Sequence, residues 1–520
     1  MNIEIIRLNH TGEGIGKIEN KIVFIPKTIP QDKVRIKNLQ NKKNYYTALP
    51  DVYLERGPLY KEAICSYYSV CGGCQIMELS YQEQLKYKKS KVIDIFKKYA
   101  NLEINPDIVA SPHELNYRNK ITLQVEQGKI GLYQIQTKKL VPIQKCYLVK
   151  EKINQVIPIL NTIDLKGVTQ IIIKEFQEKI MIQIKGKINA KDVISTLKNY
   201  ASSIYLNNTL IYGEEKLKEI LEDKEYYISP NSFFQVNKEQ TINLYNQVKK
   251  YLGKDNENIL DLYCGMASIG IFVNKTSKQI TGIELNSSSI KDARENIKKN
   301  HLDNIKVIEG DVGSLLEVEN TYDAIIVDPP RSGLDKKTKS GLLKIKSKKI
   351  IYVSCNPITL ARDIYDLKEF YRLEEIKLFD LFPSTYHVET VVLLSKLKQN
   401  PDDYINVTIE LDDMDTTSAE TKATYDEIKK YVAEHNAGMK VSNLYISQAK
   451  RKCGIEVGKN LRVATRRMDC LQGNSTTAAT DLELVPSPNL PKNEDSRQPQ
   501  CPEDKESAIV EALKHFKMNS

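Results

Sequence analysis

The feature that most constrains this fold is the alternation of strand-like and helical segments after residue 258. Apolar runs typical of buried strands follow one another in NILDLY, QITGIEL, KVIEGD, DAIIVD, KIIYVS and VETVVLLSKL, and helical segments such as KDARENIKKN lie between them. Because parallel strands need crossover connections, this order predicts a doubly wound α/β sheet. We assign the sheet to residues 226–398 and expect the functional groups at its strand ends.

The first 55 residues predict a small β-barrel. Short strand-like runs at residues 21–26, 32–38 and 45–53 alternate with glycine and proline turns. No helix follows the glycines of TGEGIGK, which argues against a dinucleotide-binding loop. Basic and aromatic residues suit a surface for single-stranded or looped RNA, and an ordinary solvated barrel face is the alternative. These residues are Lys33, Arg35, Lys37, Lys42, Lys43, Tyr45 and Tyr46.

Two other segments complete the predicted domain organisation. Residues 56–225 predict a central α+β domain, with a helix at 80–100. Residues 399–520 are a C-terminal extension, for which we predict helical parts and a disordered segment at about 471–500. Two short helices in this extension are only loosely similar to a helix-turn-helix, so a peripheral appendage is the favoured interpretation.

Composition limits the class of protein. The 520 residues, 41% of them hydrophobic, can bury several cores, which favours a soluble multidomain protein. No apolar stretch is long enough for a membrane span and the start MNIEIIRLNH lacks the order of a signal peptide, so we expect a cytoplasmic monomer without a membrane partner. The net charge of +9 fits a polyanionic partner, although surplus lysine also serves solubility.

Four of the nine cysteines predict a metal centre. Cys65, Cys71 and Cys74 form C-x5-C-x2-C around a Gly-Gly turn, and Cys146 is a fourth candidate. In a cytoplasmic chain such cysteines favour metal binding or catalysis over disulfides. Zinc and a [4Fe-4S] cluster both accept four thiolates, and the spacing does not choose between them. An oxidoreductase dithiol at Cys71 and Cys74 is the other interpretation, but no thioredoxin-like strand and helix surround it.

Cys355 is a candidate nucleophile. It lies in KIIYVSCNPITL, where a buried-strand pattern breaks at Asn-Pro and a helix begins. The partial positive charge of a helix N-terminus favours the thiolate, which is the nucleophilic form of cysteine. The alternative is a small apolar residue at a strand end. The motifs DLYCGMASIG, GIELN, VDPPRSG and HVETV around it favour the catalytic interpretation.

The same sheet predicts a nucleotide-like cofactor. Gly265 opens a turn from strand to helix, although Ala267 stands where a second glycine is usual. Glu284 ends the next strand, where a carboxylate can accept both ribose hydroxyls of either NAD or S-adenosylmethionine. The adjacent prolines of DPPRSG form a rigid wall beside Asp328. Together with SCNP, this wall favours methyl transfer over hydride transfer.

From residue 1 to about residue 398 the chain resembles the class I S-adenosylmethionine-dependent RNA uracil-5-methyltransferases, in the 23S ribosomal RNA branch with a TRAM barrel and an iron–sulfur cluster. The resemblance implies a seven-stranded methyltransferase sheet and 23S rRNA as the partner. Ala267 and the extension beyond residue 400 depart from the family pattern. The matching motifs are TGEGIGK, C-x5-C-x2-C with Cys146, SPNSFFQVN, DLYCG, DPPRSGL, SCNP and HVETV.

The resemblance also implies residue roles. Cys355 is the nucleophile, Glu389 is the base, and Cys65, Cys71, Cys74 and Cys146 hold a [4Fe-4S] cluster. Six residues are implied to bind S-adenosylmethionine. They are Gln235, Tyr263, Ser268, Glu284, Asp311 and Asp328.

The chemistry of uracil methylation explains these residue types. Carbon 5 of uracil is a poor nucleophile, so a Cys355 thiolate must add to carbon 6 before carbon 5 can attack a methyl group. A carboxylate such as Glu389 then removes the carbon 5 proton; His387 is the rival base, with pocket shaping as its favoured role. Arg331 could stabilise enolate charge, hold RNA phosphate or form a simple ion pair. Phe233 could stack on the extruded base or belong to the core.

Other functions fit the motifs less well. An iron–sulfur oxidoreductase that uses NAD would not need SCNP and HVETV, and a non-catalytic RNA-binding protein would not need both Cys355 and Glu389. Radical chemistry with S-adenosylmethionine expects C-x3-C-x2-C, which the sequence lacks. Methylation of a uridine in the tRNA T-loop remains the alternative to 23S rRNA.

Overall fold

The computed structural model describes residues 1–316, 321–345, 347–397, 425–436, 439–442, 445–446, 449 and 503–515. Two compact units divide the chain into Met1–Pro401 and Asp402–Ser520. Most of the predicted C-terminal extension, including residues 471–500, lies outside the described residues. None of the described helices is long and apolar enough to cross a membrane.

The N-terminal residues form a six-stranded sheet in the order β1-β5-β6-β4-β3-β2. Alternate side chains of its strands point inward, where Ile3, Val23, Ile25 and Val34 form a small core. This agrees with the predicted β-barrel. The strands are β1 (Asn2–Glu4), β2 (Arg7–Leu8), β3 (Gly14–Ile18), β4 (Lys21–Ile25), β5 (Lys33–Asn41) and β6 (Tyr45–Glu55).

A second, mixed sheet has the order β10-β9-β8-β11-β12-β13-β14, and a separate hairpin follows it. Isoleucine-rich strands of this sheet pack against two helices and form a core of their own. The strands are β8 (Lys120–Glu126), β9 (Lys129–Tyr133), β10 (Leu140–Pro142), β11 (Val168–Phe176), β12 (Lys179–Gly186), β13 (Ser203–Leu206) and β14 (Thr209–Gly213). The helices are α2 (Glu151–Leu160) and α3 (Ala190–Leu197), and the hairpin is β15 (Leu217–Leu221) with β16 (Lys224–Ile228).

The third sheet carries the predicted site and has eight strands in the order β19-β18-β17-β20-β21-β23-β22-β7. Its strands are β7 (Asp107–Val109), β17 (Asn256–Leu262), β18 (Ser277–Glu284), β19 (Ile305–Glu309), β20 (Ala324–Val327), β21 (Lys349–Ser354), β22 (Tyr371–Phe379) and β23 (Glu389–Lys396). Its helices are α4 (Lys238–Leu252), α5 (Ser268–Phe272), α6 (Ser287–Lys299), α7 (Val312–Leu315), α8 (Lys336–Ile345) and α9 (Pro357–Leu367). The predicted α/β fold is confirmed.

The sheet has one strand more than the seven that were predicted. β7 comes from the segment assigned to the central domain and pairs parallel with β22 at the sheet edge. The helix α1 (Tyr81–Tyr99) comes from the same segment, and its Val92, Ile95 and Phe96 pack into the core of this sheet. The methyltransferase-type sheet therefore includes residues from well before position 226.

A buried ion pair fastens α1 to this sheet. Lys88 Nζ lies 2.6 Å from an Asp380 carboxylate oxygen, and neither side chain is exposed to solvent. The same amine donates a hydrogen bond of 3.0 Å to the Phe382 carbonyl. Both partners of a buried pair must be kept, because removal of one leaves an uncompensated charge.

In the second unit, the helices α10 (Tyr425–His435) and α11 (Glu503–His515) are described. Their apolar faces meet through Ile428, Val432, Ile509 and Leu513, all fully buried. These two helices agree with the helical parts that were predicted for the C-terminal extension.

We predict that Lys88→Met destabilises the protein by about 3–5 kcal/mol, because it strands the Asp380 carboxylate in an apolar environment. Urea unfolding measures this loss. The double variant Lys88→Met with Asp380→Leu should recover most of the stability, since both charges are then absent. Lys86→Met is the matched control, because Lys86 pairs with Glu83 on the exposed side of the same helix. A single Lys88→Met variant as stable as the control would contradict the prediction.

Candidate active site

Local hydrogen bonds fix Cys355 between strand β21 and helix α9. Ser354 Oγ accepts a hydrogen bond of 3.1 Å from the Asn356 backbone N–H, which tightens the turn. The Asn356 side chain caps the helix by accepting from the Ile358 N–H, and Pro357 occupies the first turn, where its missing N–H costs nothing. The sequence SCNP therefore ends the strand and starts the helix within three residues, with the half-buried Cys355 thiol at the junction.

Strand register brings Cys355 and Glu389 together. β23 runs antiparallel to β21, with Ser354 opposite Thr390. Continuation of this register by one residue places Cys355 beside Glu389, the first residue of β23. The predicted nucleophile and the predicted base thus meet at the carboxyl end of β21, although 33 residues lie between them in the sequence.

The thiol of Cys355 is protonated at neutral pH in this structure. Burial and the neighbouring Glu389 carboxylate raise its pKa to about 11, although Arg331 and its hydrogen bond to the thiol act in the opposite direction. The helix N-terminus that was predicted to favour the thiolate is therefore opposed by the surroundings of the thiol. Desolvation and a nearby carboxylate outweigh the helix dipole, since both penalise a negative sulfur.

Glu389 lies in an environment that favours its neutral form. Its side chain is only 4% exposed, and burial followed by the charge of Asp328 raises its pKa to about 8. Part of Asp328 is accessible, but its carboxyl is enclosed closely enough that burial raises its pKa to about 7. Two carboxyl groups near Arg331 thus titrate close to neutral pH, as expected for groups that exchange protons during a reaction.

Arg331 is held by the loop that follows β20. Its backbone carbonyl accepts a hydrogen bond of 2.9 Å from the Asn356 amide, which joins DPPRSG to SCNP. Gly333 permits this path, because its φ is +76° and a Cβ there would lie 2.5 Å from an Asp363 carboxylate oxygen. Within the described part of the chain Arg331 forms no ion pair, so its guanidinium faces Cys355 and Glu389. The simple ion-pair alternative is wrong.

His387 lies close to Cys355 but is a poor base. It lines a cavity of about 190 Å³ together with Cys355, Arg331 and Lys91. Burial, followed by the charges of Arg331 and Lys91, lowers its pKa to about 3. Neutral His387 therefore shapes the cavity, which leaves Glu389 as the stronger base of the two.

Five predicted cofactor-binding residues lie at the carboxyl ends of adjacent strands. Glu284 accepts hydrogen bonds from the Gly265 N–H at 3.0 Å and the Asn286 N–H at 2.7 Å, so the carboxylate closes the turn after β17. Ser268 begins α5 and its hydroxyl lies 2.8 Å from Tyr245 Oη. A carboxylate with two bonds keeps free lone pairs that can accept from ribose hydroxyls.

Tyr263, Asp311 and Asp328 complete this cluster. The Tyr263 hydroxyl lies 3.1 Å from Thr338 Oγ1, and burial, with smaller contributions from the charges of Asp335 and Asp311, raises the pKa of Tyr263 to about 12. Asp311 caps the short helix α7 by accepting from the Ser314 N–H at 3.0 Å. These contacts give Asp311 a structural role that the prediction did not include.

Ala267 has the left-handed conformation that the turn requires. Its φ is +59°, and it is almost fully buried at the start of α5. Glycine adopts this conformation at lower cost, which explains why glycine is the usual residue at this position. The turn nevertheless keeps its path, because Ala267 N–H donates to the Cys264 carbonyl at 2.8 Å.

The four predicted cluster cysteines line one cavity of about 410 Å³. Cys71 Sγ accepts a hydrogen bond of 3.3 Å from the Gly73 N–H, and Lys27 Nζ donates to the carbonyls of Cys71 and Cys74. Hydrogen bonds to sulfur and a nearby cation suit thiolates that carry negative charge. Among the described residues, no group of three or more His, Cys, Asp or Glu side chains is arranged around a single metal ion. In a four-iron cluster each thiolate binds a different iron, so thiols spread around one cavity fit such a cluster.

Gln235 and Phe233 lie at the cysteine cavity. Phe233 is 66% exposed, so the core alternative for this ring is wrong. Arg331 lines both this cavity and the cavity of Cys355, which makes the two cavities neighbours.

The sequence did not indicate three residues near the site. Lys91 of α1 and His10 of the barrel line the Cys355 cavity, although they lie more than 200 positions away in the sequence. Asp261 is buried in β17, and burial raises its pKa to about 8. The acidic residue before LYCG was a usable signal for Asp261. No local pattern marked Lys91 or His10, because only the tertiary fold brings them to Cys355.

Comparison with known proteins agrees with these features. The family model of tRNA (uracil-5-)-methyltransferases matches residues 200–397, and the TRAM domain model matches residues 1–48. An RNA methyltransferase of Bacillus cereus, named as uncharacterized, is 33% identical over 441 residues that cover 75% of this chain and 96% of that protein. A similarly named protein of Clostridium acetobutylicum is 30% identical over 447 residues, covering 76% and 96%.

A solved structure is similar over most of the chain. It is the tRNA (uracil-54, C5)-methyltransferase of Pyrococcus abyssi, in complex with S-adenosyl-L-homocysteine. The TM-score is 0.64 at 28% sequence identity, and the alignment covers 75% of this chain and 99% of that one. The similarity confirms the fold described above.

Because its folded-state pKa is raised, neutral Glu389 contributes stability that is present below its ordinary pKa of about 4.5 and is lost as the pH rises through about 8. Glu389→Gln removes this titration. We predict that the variant melts several degrees above the wild type at about pH 9 and only slightly above it at about pH 5. Thermal unfolding across this pH range measures the difference, with Glu103→Gln, an exposed carboxylate, as control. A difference that does not grow with pH would contradict the prediction.

Proposed function

Because the chain belongs to the RNA uracil-5-methyltransferase family, we propose that it methylates carbon 5 of a uridine in 23S rRNA with S-adenosylmethionine as the methyl donor. One observation carries the proposal: the antiparallel register of β21 and β23 sets a cysteine beside a buried carboxyl. Addition at one ring carbon and proton removal at the next require a nucleophile and a base that lie side by side.

In the first step Cys355 attacks carbon 6 of uracil. The sulfur forms a bond to carbon 6, and the electron pair of the 5,6 double bond moves toward carbon 5 and the carbon 4 oxygen. The thiol first gives its proton to water, which reaches this partly exposed cysteine, and Arg331 assists because its positive charge favours the thiolate. The same guanidinium can stabilise the negative oxygen that develops on the ring.

S-adenosylmethionine, when bound, would supply an electrophilic methyl group to carbon 5. We assign its adenosine and methionine parts to the cluster of Tyr263, Ser268, Glu284, Asp311 and Asp328. Glu284 is suited to the ribose, since a carboxylate can accept from two neighbouring hydroxyls. Gln235 also belongs to the proposed cofactor set, although its position at the cysteine cavity supports contact with the substrate as well.

In the last step the ionised form of Glu389 removes the proton from carbon 5. The electron pair of that bond restores the 5,6 double bond as the Cys355 sulfur leaves carbon 6 as a thiolate. A carboxyl whose pKa is about 8 is a stronger base than an ordinary one, because burial penalises its charged form. It holds the abstracted proton until the product leaves.

The uridine must leave its stack before it can reach Cys355. Phe233 is exposed beside Arg331 and offers a flat surface on which a base can stack. The net charge of +9 and the TRAM domain support an RNA partner. Arg331 also remains the proposed contact for an RNA phosphate.

We propose that Cys65, Cys71, Cys74 and Cys146 hold a [4Fe-4S] cluster. The shared cavity and the hydrogen bond to Cys71 Sγ support this assignment. The cluster would order the chain next to Phe233 and orient RNA there. Methyl transfer to uracil is a polar two-electron reaction, so this chemistry needs no external electron.

A uridine in the tRNA T-loop is the second candidate substrate. The similarity to a solved tRNA (uracil-54, C5)-methyltransferase favours it. Mapping of 5-methyluridine in rRNA and tRNA from cells with and without the gene tests both candidates. Loss of a 23S rRNA mark supports the proposal, and loss of a tRNA mark alone replaces it with the second candidate.

We predict that Cys355→Ala abolishes methyl transfer, because no other group can form the bond to carbon 6. Binding of S-adenosylmethionine, measured by calorimetry, should persist. Glu389→Gln blocks only the last step, so this variant should accumulate a methylated protein–RNA adduct that survives denaturing gels. His387→Gln is the control and should accumulate none. Turnover by Cys355→Ala would overturn the role of Cys355, and adduct in His387→Gln alone would make His387 the base.

We predict that protein purified without chelators is brown, absorbs broadly in the visible range and contains about four irons per chain. Cys71→Ser and Cys146→Ser should each lower the iron content by at least about half, since each removes one of four ligands. Cys264→Ser is the matched control, because this buried cysteine does not line the cavity. Zinc in place of iron, or equal iron in all variants, would refute the cluster.

A further inference from the structure

A further cavity, distinct from those of Cys355 and of the four cysteines, opens in the wall of the N-terminal barrel. Its volume is about 570 Å³, which is large enough for a nucleotide. Strands β5 and β6 form one wall and the segment at residues 135–137 forms the other. We call it the barrel cavity; the argument below uses its residues Phe24, Asn38, Gln40, Lys42, Tyr45 and Thr11.

The barrel cavity offers both a stacking surface and unoccupied hydrogen-bonding groups. The rings of Phe24 and Tyr45 lie 5.2 Å apart at 62°, and Tyr45 is 40% exposed. The side-chain amides of Asn38 and Gln40 form no hydrogen bond within the described part of the chain, and both residues are exposed. Aromatic rings stack on unpaired bases, and amides can both donate to and accept from base edges.

The backbone at this wall is irregular. Lys37 pairs with Leu49 and Gln40 pairs with Thr47, so Asn38 and its neighbour lie opposite one residue of β6. Asn38 has a φ of +54°, in the left-handed region. A bulge of this kind changes the direction of side chains, and such strain is concentrated at binding sites. The bulge lies where the two amides line the barrel cavity.

The barrel cavity adjoins the cavity of Cys355. His10 and Thr11 line both. Their loop is rigid, because Asn9 Oδ1 accepts hydrogen bonds of 2.9 Å from both the N–H and the hydroxyl of Thr11. Tyr87 of α1 donates a further bond of 2.8 Å to the Asn9 carbonyl. The barrel cavity and the cavity of Cys355 therefore meet at this loop.

We propose that the barrel cavity binds an unpaired nucleotide of the RNA substrate, a few positions from the target uridine. The base stacks on Tyr45, the amides of Asn38 and Gln40 contact its edge, and Lys42, which forms no ion pair among the described residues, neutralises a phosphate. This inference rests on the proposed function, since it assumes RNA at Cys355. It adds a second point of base recognition that selects the sequence or loop shape around the uridine.

Fluorescence anisotropy with a labelled RNA hairpin tests the proposal. The hairpin carries the target uridine in its loop, and abasic sites replace the other loop positions one at a time. For the wild type, an abasic site at one position should weaken binding about tenfold, the effect of one lost base stack. Tyr45→Ala should weaken binding of the intact hairpin by a similar factor and should be insensitive to the abasic site at that same position.

Gln40→Ala is a second variant, which removes an exposed side chain without touching the Phe24 and Tyr45 rings. It should weaken binding of the intact hairpin severalfold. The abasic site at the critical loop position should then reduce affinity less than it does for the wild type. Tyr200→Ala is the matched control, because Tyr200 is equally exposed and does not line the barrel cavity. Thermal unfolding verifies that each variant is folded.

The outcomes separate this proposal from the proposed function. The subsite is supported if Tyr45→Ala and an abasic site at one loop position together weaken binding less than the product of their separate effects, whatever the rate of methyl transfer. It is overturned if Tyr45→Ala leaves binding unchanged, or if the two effects simply multiply at every loop position. A wild-type protein that binds the hairpin with these couplings but methylates no uridine would refute the proposed function and leave the nucleotide subsite intact.

Discussion

The reversed direction of the strand β23 is the constraint on which the site depends. In an all-parallel sheet, the end of one strand lies beside the end of the next, and Cys355 would face another loop. Here β23 begins where β21 ends, so Glu389 enters the sheet beside the thiol. Because the backbone pairing on both sides of β23 fixes this contact, the nucleophile and the base need no mobile loop to meet.

The same geometry imposes an electrostatic cost. Asp261 and Asp328 lie at the carboxyl ends of β17 and β20, and Glu389 lies at the start of the antiparallel β23. Burial raises the pKa of all three carboxyl groups, and the charge of Asp328 raises those of Glu389 and Asp261 further. Arg331 is the cation that opposes this effect at Glu389 and Cys355. Position therefore decides the proton state: the free protein holds a protonated thiol, and chemistry requires that substrate or cofactor change this balance.

Features of the site that depend on neighbouring residues in the sequence could be predicted, and features that depend on residues far away in the sequence could not. Strand ends, caps and turns are local, so SCNP, DPPRSG and HVETV predicted that Cys355, Arg331 and Glu389 lie at strand ends, where the structure has them. The raised pKa of Cys355 was not predictable, because burial depends on residues far away in the sequence. The same holds for the eighth strand β7 and for Lys91, since only tertiary packing brings α1 and its neighbours to the sheet.

The proposed catalytic groups and the cavities proposed to meet the RNA come largely from different segments of the chain. Cys355, Glu389 and the cofactor cluster lie within residues 200–397, the part that matches the tRNA (uracil-5-)-methyltransferase model. The cysteine cavity and the barrel cavity are built mostly from residues before position 150, yet each shares residues with the cavity of Cys355. Arg331 forms one junction and the His10–Thr11 loop forms the other. In the proposed function both parts of the chain therefore meet the RNA, because Phe233 and Arg331 of the C-terminal part line the same cavities as the N-terminal residues.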